Sequence, residues 1–267
     1  MSDPRISIVV PNLNERECLE KFLWSLEKQD FNDFELIIVD GGSTDGSLEI
    51  LKKFSDEHAS YPIIKLIDTT RNIGYIRNLG SKSARGKILL HTSSDVILDP
   101  WVLWSVDLAF QDPQLISLTA RTKPITTQIL CHLAYQGFDL LRWFFTKLPG
   151  SMRKYRPGGN FFAIRAKPFW FVKGFPEVKI NEDGLLGYKI DLFLQEMAHG
   201  YKVKFDLGMC AHHHVKRFEQ RGSVKTILFY LYVFGNLFPF LKPLLYKIEA
   251  HSAEIFKNRS DLRDFQK

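Results

Sequence analysis

Through its first third the chain alternates short apolar runs of β type with segments whose apolar residues recur at helical spacing. Runs of this kind predict strands over residues 6–10, 35–40, 63–68 and 87–92, and helices over 15–28, 45–58 and 75–84. Neighbouring strands joined through helices pair in parallel, so the pattern implies βαβ units and a mostly parallel α/β sheet with helices on both faces. Such sheets bind ligands beyond the carboxyl ends of their strands. The informative loops are therefore 11–15, 41–46, 69–74 and 93–99. Further on, the spacing predicts a helix over 101–110, a strand over 116–120 and a long amphipathic helix over 128–148. A turn at 156–159 leads into a strand over 160–164; a helix over 183–199 and a strand over 203–206 complete the pattern.

Several of these loops carry residues suited to chemistry. Asp40 ends the second strand and precedes GGSTDG, where Gly41, Gly42 and Gly46 permit tight turns and Ser43, Thr44 or Asp45 can cap the next helix. A carboxylate at that place can accept from a base or ribose, or simply close a capped βα turn. Glu15, after the first strand, can bind a ribose or complement a helix dipole. Arg71 and Arg77 follow the third strand and can face phosphate or base. The fourth strand ends in HTSSDVILDP, where Asp95 beside Ser93 and Ser94 offers oxygen ligands to a hard cation. The run His212-His213-His214 follows the last predicted strand and can supply one or two further ligands, since alternate side chains on extended backbone diverge. Glu182 and Asp183 open a helical pattern, either as dipole-complementing residues or as a general base.

Other chemistries are disfavoured by what the sequence lacks. No GxGxxG follows a strand and no Walker A sequence occurs, which argues against dinucleotide binding and P-loop phosphoryl transfer. Cys18, Cys131 and Cys210 are scattered, without the CxxC spacing of structural zinc sites or an even disulfide framework, and they suit a reducing compartment. A formal charge of +6 favours polyanionic partners, yet the basic residues form no recognisable nucleic-acid motif. The Gly-rich, Arg-containing loop of nucleotidyltransferases is absent after the first strand, which reads PNLNERE.

Taken in order, ISIVVPNLNE, LIIVDGGSTDGS, RNIGYIRNLG, ARGKILLHTSSDVILDP, PGGNFFAIRAKPFWFVKGFPE, NEDGLLGYKI and AHHHVKR resemble glycosyltransferase family 2, the inverting group with the GT-A fold. The resemblance covers roughly residues 5–217. It implies that Pro11, Asn14, Glu15 and Asp40 hold the nucleoside, with Asp45 and Arg77 close by. Asp95 corresponds to the last acid of the family's DxD motif, which binds a divalent metal (Mn²⁺ or Mg²⁺) and the donor diphosphate. Gly158, Gly159 and Asn160 would line the sugar and acceptor side. Asp183 corresponds to the base that deprotonates the acceptor, and a His from 212–214 would complete the metal shell, with His212 and His214 taken as the ligands. The chain departs from the family at Ser93, where an Asp is usual, so the metal site has one charge fewer.

Two aromatic, amphipathic stretches remain, at 134–148 and 224–248, each bordered by Lys and Arg. Apolar faces with basic borders suit a helix lying on anionic lipid. The longest uncharged run, 226–241, is short and interrupted for a spanning helix, and the amino terminus carries no signal-peptide pattern. The expectation is a catalytic domain over 1–217 and an aromatic, basic helical segment over 218–267, in a cytoplasmic protein held peripherally on a membrane. By resemblance to polyprenyl-phosphate mannosyltransferases, the expected donor is GDP-mannose and the expected acceptor a lipid or lipid-linked sugar. A UDP-sugar enzyme and a non-catalytic membrane-surface homologue with a degenerate metal site are the alternatives.

Overall fold

The computed structural model describes residues 3–57, 63–69, 72–178, 181–196 and 200–215. Contacts divide the chain into two units, Met1–Ile125 with Tyr135–His214, and Thr126–Ala134 with Val215–Lys267. The expected segment 218–267 and Arg71 lie outside the described residues.

The first unit opens with β1 (Ile6–Asn12), α1 (Arg16–Glu27), β2 (Phe34–Asp40), α2 (Ser47–Glu57), β3 (Ile63–Ile67), α3 (Ile73–Lys82) and β4 (Ile88–Thr92). β1 pairs in parallel with β2 and β4, and β2 with β3. Central parallel strands are covered on both faces, which is why IVV in β1 and LIIV in β2 are continuously apolar instead of alternating. The one acid inside β2, Glu35, is fully buried but satisfied. It accepts from Ser7 Oγ at 2.6 Å and from the backbone amide and guanidinium of Arg85 at 2.7, 3.0 and 2.9 Å.

After β4 come β5 (Val96–Leu98), α4 (Val102–Ala109), β6 (Leu115–Ile125), α5 (Ile129–Lys147), a short 3₁₀ turn, β7 (Phe161–Arg165), α6 (Ala166–Phe171), α7 (Glu182–Glu196) and β8 (Lys202–His214). The sheet order is β3-β2-β1-β4-β7-β6-β8-β5. β7 runs antiparallel to both β4 and β6, while β6 and β8 are parallel and β5 and β8 antiparallel. The sheet is thus mixed: parallel in its first half and largely antiparallel in its second.

Its two faces carry separate cores. Ile6, Ile8, Val10, Leu36 and Ile38 pack with Leu19, Phe22, Leu51 and Val106 from α1, α2 and α4. Leu89, Phe162 and Ile164 pack on the other face with Phe169, Phe175, Leu186 and Ile190. This partition follows from the two-residue alternation of strand side chains.

Two short elements escaped the sequence reading. β5 is a three-residue strand, and α6 is only six residues long. The reading also stopped the last strand too early. At Asp206 the carboxylate accepts from the amides of Gly208 and Met209, and the register against β6 slips there. This bulge interrupts the strand pattern, but β8 resumes and runs through His214. The three histidines therefore lie within a strand rather than after one.

Candidate active site

The carboxyl ends of β1 and β2 place Asn12 and Asp40 side by side, and the adjoining β4 ends at Thr92. Asp40 is buried and its carboxylate is filled from within. Oδ1 accepts from the amides of Gly42 and Ser43 at 2.9 and 2.7 Å, and Oδ2 accepts from Asn12 Nδ2 and Ser43 Oγ, both at 2.7 Å. A carboxylate has about four acceptor positions, so Asp40 builds the turn, and a ligand reaching it displaces one of these partners. The turn needs Gly42 at φ 87°, a value that L side chains rarely adopt.

Asn14, itself at φ 52°, accepts from the Thr44 amide at 2.9 Å and donates its own amide to Ser43 Oγ. Asp45 accepts from the Arg16 amide and from the Ser47 amide and hydroxyl. Its partial burial alone would raise the acid's pKa, but these donors outweigh it and hold the carboxyl below its ordinary value. Glu15 sits at the N-cap of α1, and Ser94 Oγ donates to the Pro11 carbonyl at 3.4 Å. Pro11, Asn14, Glu15, Asp40, Gly42, Asp45 and Ser94 are thereby gathered around two adjoining strand ends.

Arg77 is the hub of the other side. It projects from α3 and is 4% exposed, with Nη2 donating to the Gly159 carbonyl at 2.7 Å and Nη1 to the Thr92 carbonyl at 3.4 Å. Its guanidinium lies 5.6 Å from the Phe175 ring centre and its Nε 3.9 Å from Glu182 Oε1. Burial pushes the guanidinium below its ordinary pKa, while Glu182, Asp183 and Asp95 pull it back up. Of these acids, Glu182 comes within ion-pair range of the guanidinium. Asp183 opens α7 beside Glu182, and its Oδ2 accepts from the Gly159 amide at 3.0 Å. The peptide groups of Gly159 therefore join Arg77 to Asp183 directly. Thr92 Oγ1 donates to the Asn160 carbonyl at 2.8 Å, tying the same loop to β4.

Gly158 is held from below. Its amide donates to Thr119 Oγ1, which also accepts from Arg142 Nη2 at 2.8 Å. Arg142 in turn pairs with Asp139 at 3.0 Å within α5. A Cβ on Gly158 would lie 2.7 Å from Arg142 Nη2, so the close approach needs glycine.

The histidines separate as strand alternation requires, but in a different arrangement from that expected. His213 Nε2 lies 3.2 Å from Asp95 Oδ2, whereas His212 Nε2 lies 3.1 Å from Asp99 Oδ1. Pairing of β5 with β8 sets this register, and the His214 amide donates to the Asp95 carbonyl at 2.9 Å. Of the set Asp95, His212 and His214, the structure turns His212 to Asp99 and brings His213 to the Asp95 carboxylate instead. No group of three or more His, Cys, Asp or Glu forms a metal cluster among the described residues. Asp95 and His213 nevertheless present one carboxylate and one imidazole. That donor set suits a divalent cation whose remaining positions are taken by water and substrate phosphates.

Asn12, Thr119, Tyr135 and Arg142 were not anticipated, and Ser43 only as a candidate helix cap. Only Asn12, at a strand end, and the Asp139–Arg142 spacing of three residues left a signal in the sequence.

Glycosyl transferase family 2 matches this chain over residues 7–169. Among curated proteins, it is 38% identical over 95 residues to an uncharacterized glycosyltransferase of Bacillus subtilis, covering 35% of this chain and 24% of that one. It is 27% identical over 134 residues to the cholesterol galactosyltransferase of Borreliella burgdorferi, covering 50% of this chain and 34% of that one. These alignments thus span about a quarter to a third of the relatives' length. Among solved structures, a mannosyltransferase from Pyrobaculum calidifontis, in complex with GDP-Man and Mn²⁺, superposes with a TM-score of 0.67 at 19% identity, covering 94% of this chain and 70% of that one. TarS of S. aureus in complex with UDP gives 0.59 at 22% identity, covering 84% and 64%. Those structures share the GT-A-like architecture. With the family's pattern spanning residues 7–169, from β1 to α6, the chain belongs to glycosyl transferase family 2.

Proposed function

We propose that the protein transfers a hexosyl group, with inversion, from a nucleoside-diphosphate sugar to a lipid or lipid-linked acceptor at a membrane surface. The observation that carries the proposal is the run of contacts from the buried Arg77 through Gly159 to Asp183, with Glu182 Oε1 3.9 Å from Arg77 Nε. Those contacts fix the candidate base against the Gly159 loop.

In this reading the loops after β1 and β2 hold the nucleoside, with Asn12, Asp40 and Ser43 setting their shape. Asp95 and His213 would hold a divalent cation, which when bound neutralises charge on the departing diphosphate. Asp183, its Oδ2 fixed by the Gly159 amide, takes the proton from the acceptor hydroxyl as that oxygen attacks the anomeric carbon. A single displacement with one base inverts the anomeric centre. An acceptor already ionised, such as a lipid phosphate, needs less of this help.

GDP-mannose is the donor we favour, supported by the GDP-Man and Mn²⁺ complex of the archaeal mannosyltransferase. UDP and UDP-GlcNAc complexes of TarS support the UDP-sugar alternative. The lipid acceptor is supported by a relative named as a cholesterol galactosyltransferase and by the exposed apolar face of α5, where Leu140 is 60% and Phe144 50% exposed. Lys147, Arg153 and Lys154 follow in the sequence. No described helix is long and apolar enough to cross a membrane.

Thermal-shift titration with GDP, UDP and their sugar conjugates, with and without Mn²⁺, tests the donor. Stabilisation by UDP but not GDP would replace mannose with a UDP-sugar. Asp183→Asn should retain nucleotide binding and lose transfer; full turnover in that variant would remove Asp183 as the base.

A further inference from the structure

We propose that Tyr135 is a positioning residue that fixes the ring of His213 and lets it exchange tautomers when a divalent cation binds. The proposal rests on the reading of Asp95 and His213 as cation ligands.

Tyr135 is buried on the inward side of α5, and its hydroxyl lies 3.0 Å from His213 Nδ1, with ring centres 6.2 Å apart. The opposite nitrogen, Nε2, lies 3.2 Å from Asp95 Oδ2. An ionised carboxylate only accepts, so in a neutral ring facing Asp95 without a cation Nε2 carries the proton and Nδ1 keeps its lone pair. The Tyr135 hydroxyl then donates to Nδ1. A cation on Nε2 takes that nitrogen's lone pair and moves the ring proton to Nδ1. The hydroxyl must then accept. A phenolic hydroxyl can fill both roles, whereas a carbonyl accepts only and an ammonium donates only. Hydrogen bonds to the second nitrogen of a ligating imidazole orient the ring and raise its basicity. The residue therefore suits a site that is loaded and emptied with each donor.

Mn²⁺ binding to the full chain, read by electron paramagnetic resonance with GDP and in a parallel arm with UDP, tests this. Tyr135→Phe keeps the ring and removes the hydroxyl. It should raise the Mn²⁺ dissociation constant about tenfold or more, with the melting temperature without metal little changed. Gln136→Ala, on the exposed side of α5, should leave the constant at the wild-type value. Ring ¹⁵N shifts of His213 in the wild type should report an Nε2 proton without metal and an Nδ1 proton with Zn²⁺.

Wild-type Mn²⁺ affinity in Tyr135→Phe, or an Nε2 proton retained with Zn²⁺ bound, overturns the role of Tyr135 while leaving the cation site standing. A wild type that binds no Mn²⁺ with either nucleotide overturns the cation reading and this role together.

Discussion

Arg77 Nη2 donates to the Gly159 carbonyl at 2.7 Å, while the amide of the same residue donates to Asp183 Oδ2 at 3.0 Å. A buried cation thus orients the candidate base without touching its carboxylate. Arg77→Ala withdraws a buried charge that faces the buried Glu182, which costs on the order of 3 kcal/mol, read as a lower midpoint in urea unfolding. Arg77→Lys keeps the charge but not the planar fork. It should unfold nearer to wild type yet lose tenfold or more in kcat, roughly, because Gly159 is no longer held. Wild-type kcat in Arg77→Lys would show that the fork is dispensable.

The histidines should behave unequally. His213→Ala and Asp95→Asn each remove one half of the pair at 3.2 Å and should abolish any gain in thermal stability from Mn²⁺ with nucleotide. His212→Ala removes a contact to Asp99 that is partly solvated, with side chains about a quarter exposed. It should cost at most about 1 kcal/mol and leave the Mn²⁺ response in place. An equal loss in both histidine variants would restore His212 to the cation site.

Binding to lipid should follow the outer face of α5. Leu140→Ser with Phe144→Ser replaces two exposed apolar side chains and should reduce co-sedimentation with anionic phosphatidylglycerol vesicles several-fold, with the melting temperature nearly unchanged. Undiminished binding would move the lipid contact elsewhere on the chain.

His91 predicts a pH dependence of stability. It is fully buried, with its ring 4.8 to 5.7 Å from those of Phe162, Phe169 and Phe175 and its Nε2 3.5 Å from Ser81 Oγ. Burial first, and then the charge of Arg77, hold its pKa well below the ordinary value. The unfolded chain therefore takes up the proton first, near pH 6.5. The contribution is complete above that pH and falls as pH drops below it, by about 1.4 kcal/mol at pH 5.5. Melting curves at pH 7.5 and 5.5 should show a smaller drop for His91→Phe than for wild type. An equal drop would assign the acid sensitivity to other groups.

Much of this was legible in the sequence because it depends on local order. Continuous apolar runs fix the parallel strands, and strand ends followed by Gly, Asp and hydroxyl residues mark the binding loops. The resemblance reached Asp40, Asp95, Gly159 and Asp183 because each sits at a fixed offset from such a run. Pairings between distant segments carry no such offset. Asp206 interrupts the last strand by a bulge that one-dimensional periodicity cannot show. Register between β5 and β8 then decides which histidine meets Asp95, and a one-residue slip would exchange them. Likewise, the sequence offers Arg77 only as an arginine that can face phosphate or base. Only the packing of α3 against Phe175 and the Gly159 loop buries its charge beside Glu182. The sequence by itself determined the sheet's parallel half and the loops that can bind. Tertiary structure decided which side chains meet within those loops, because contacts between segments far apart in the chain are set by register and packing.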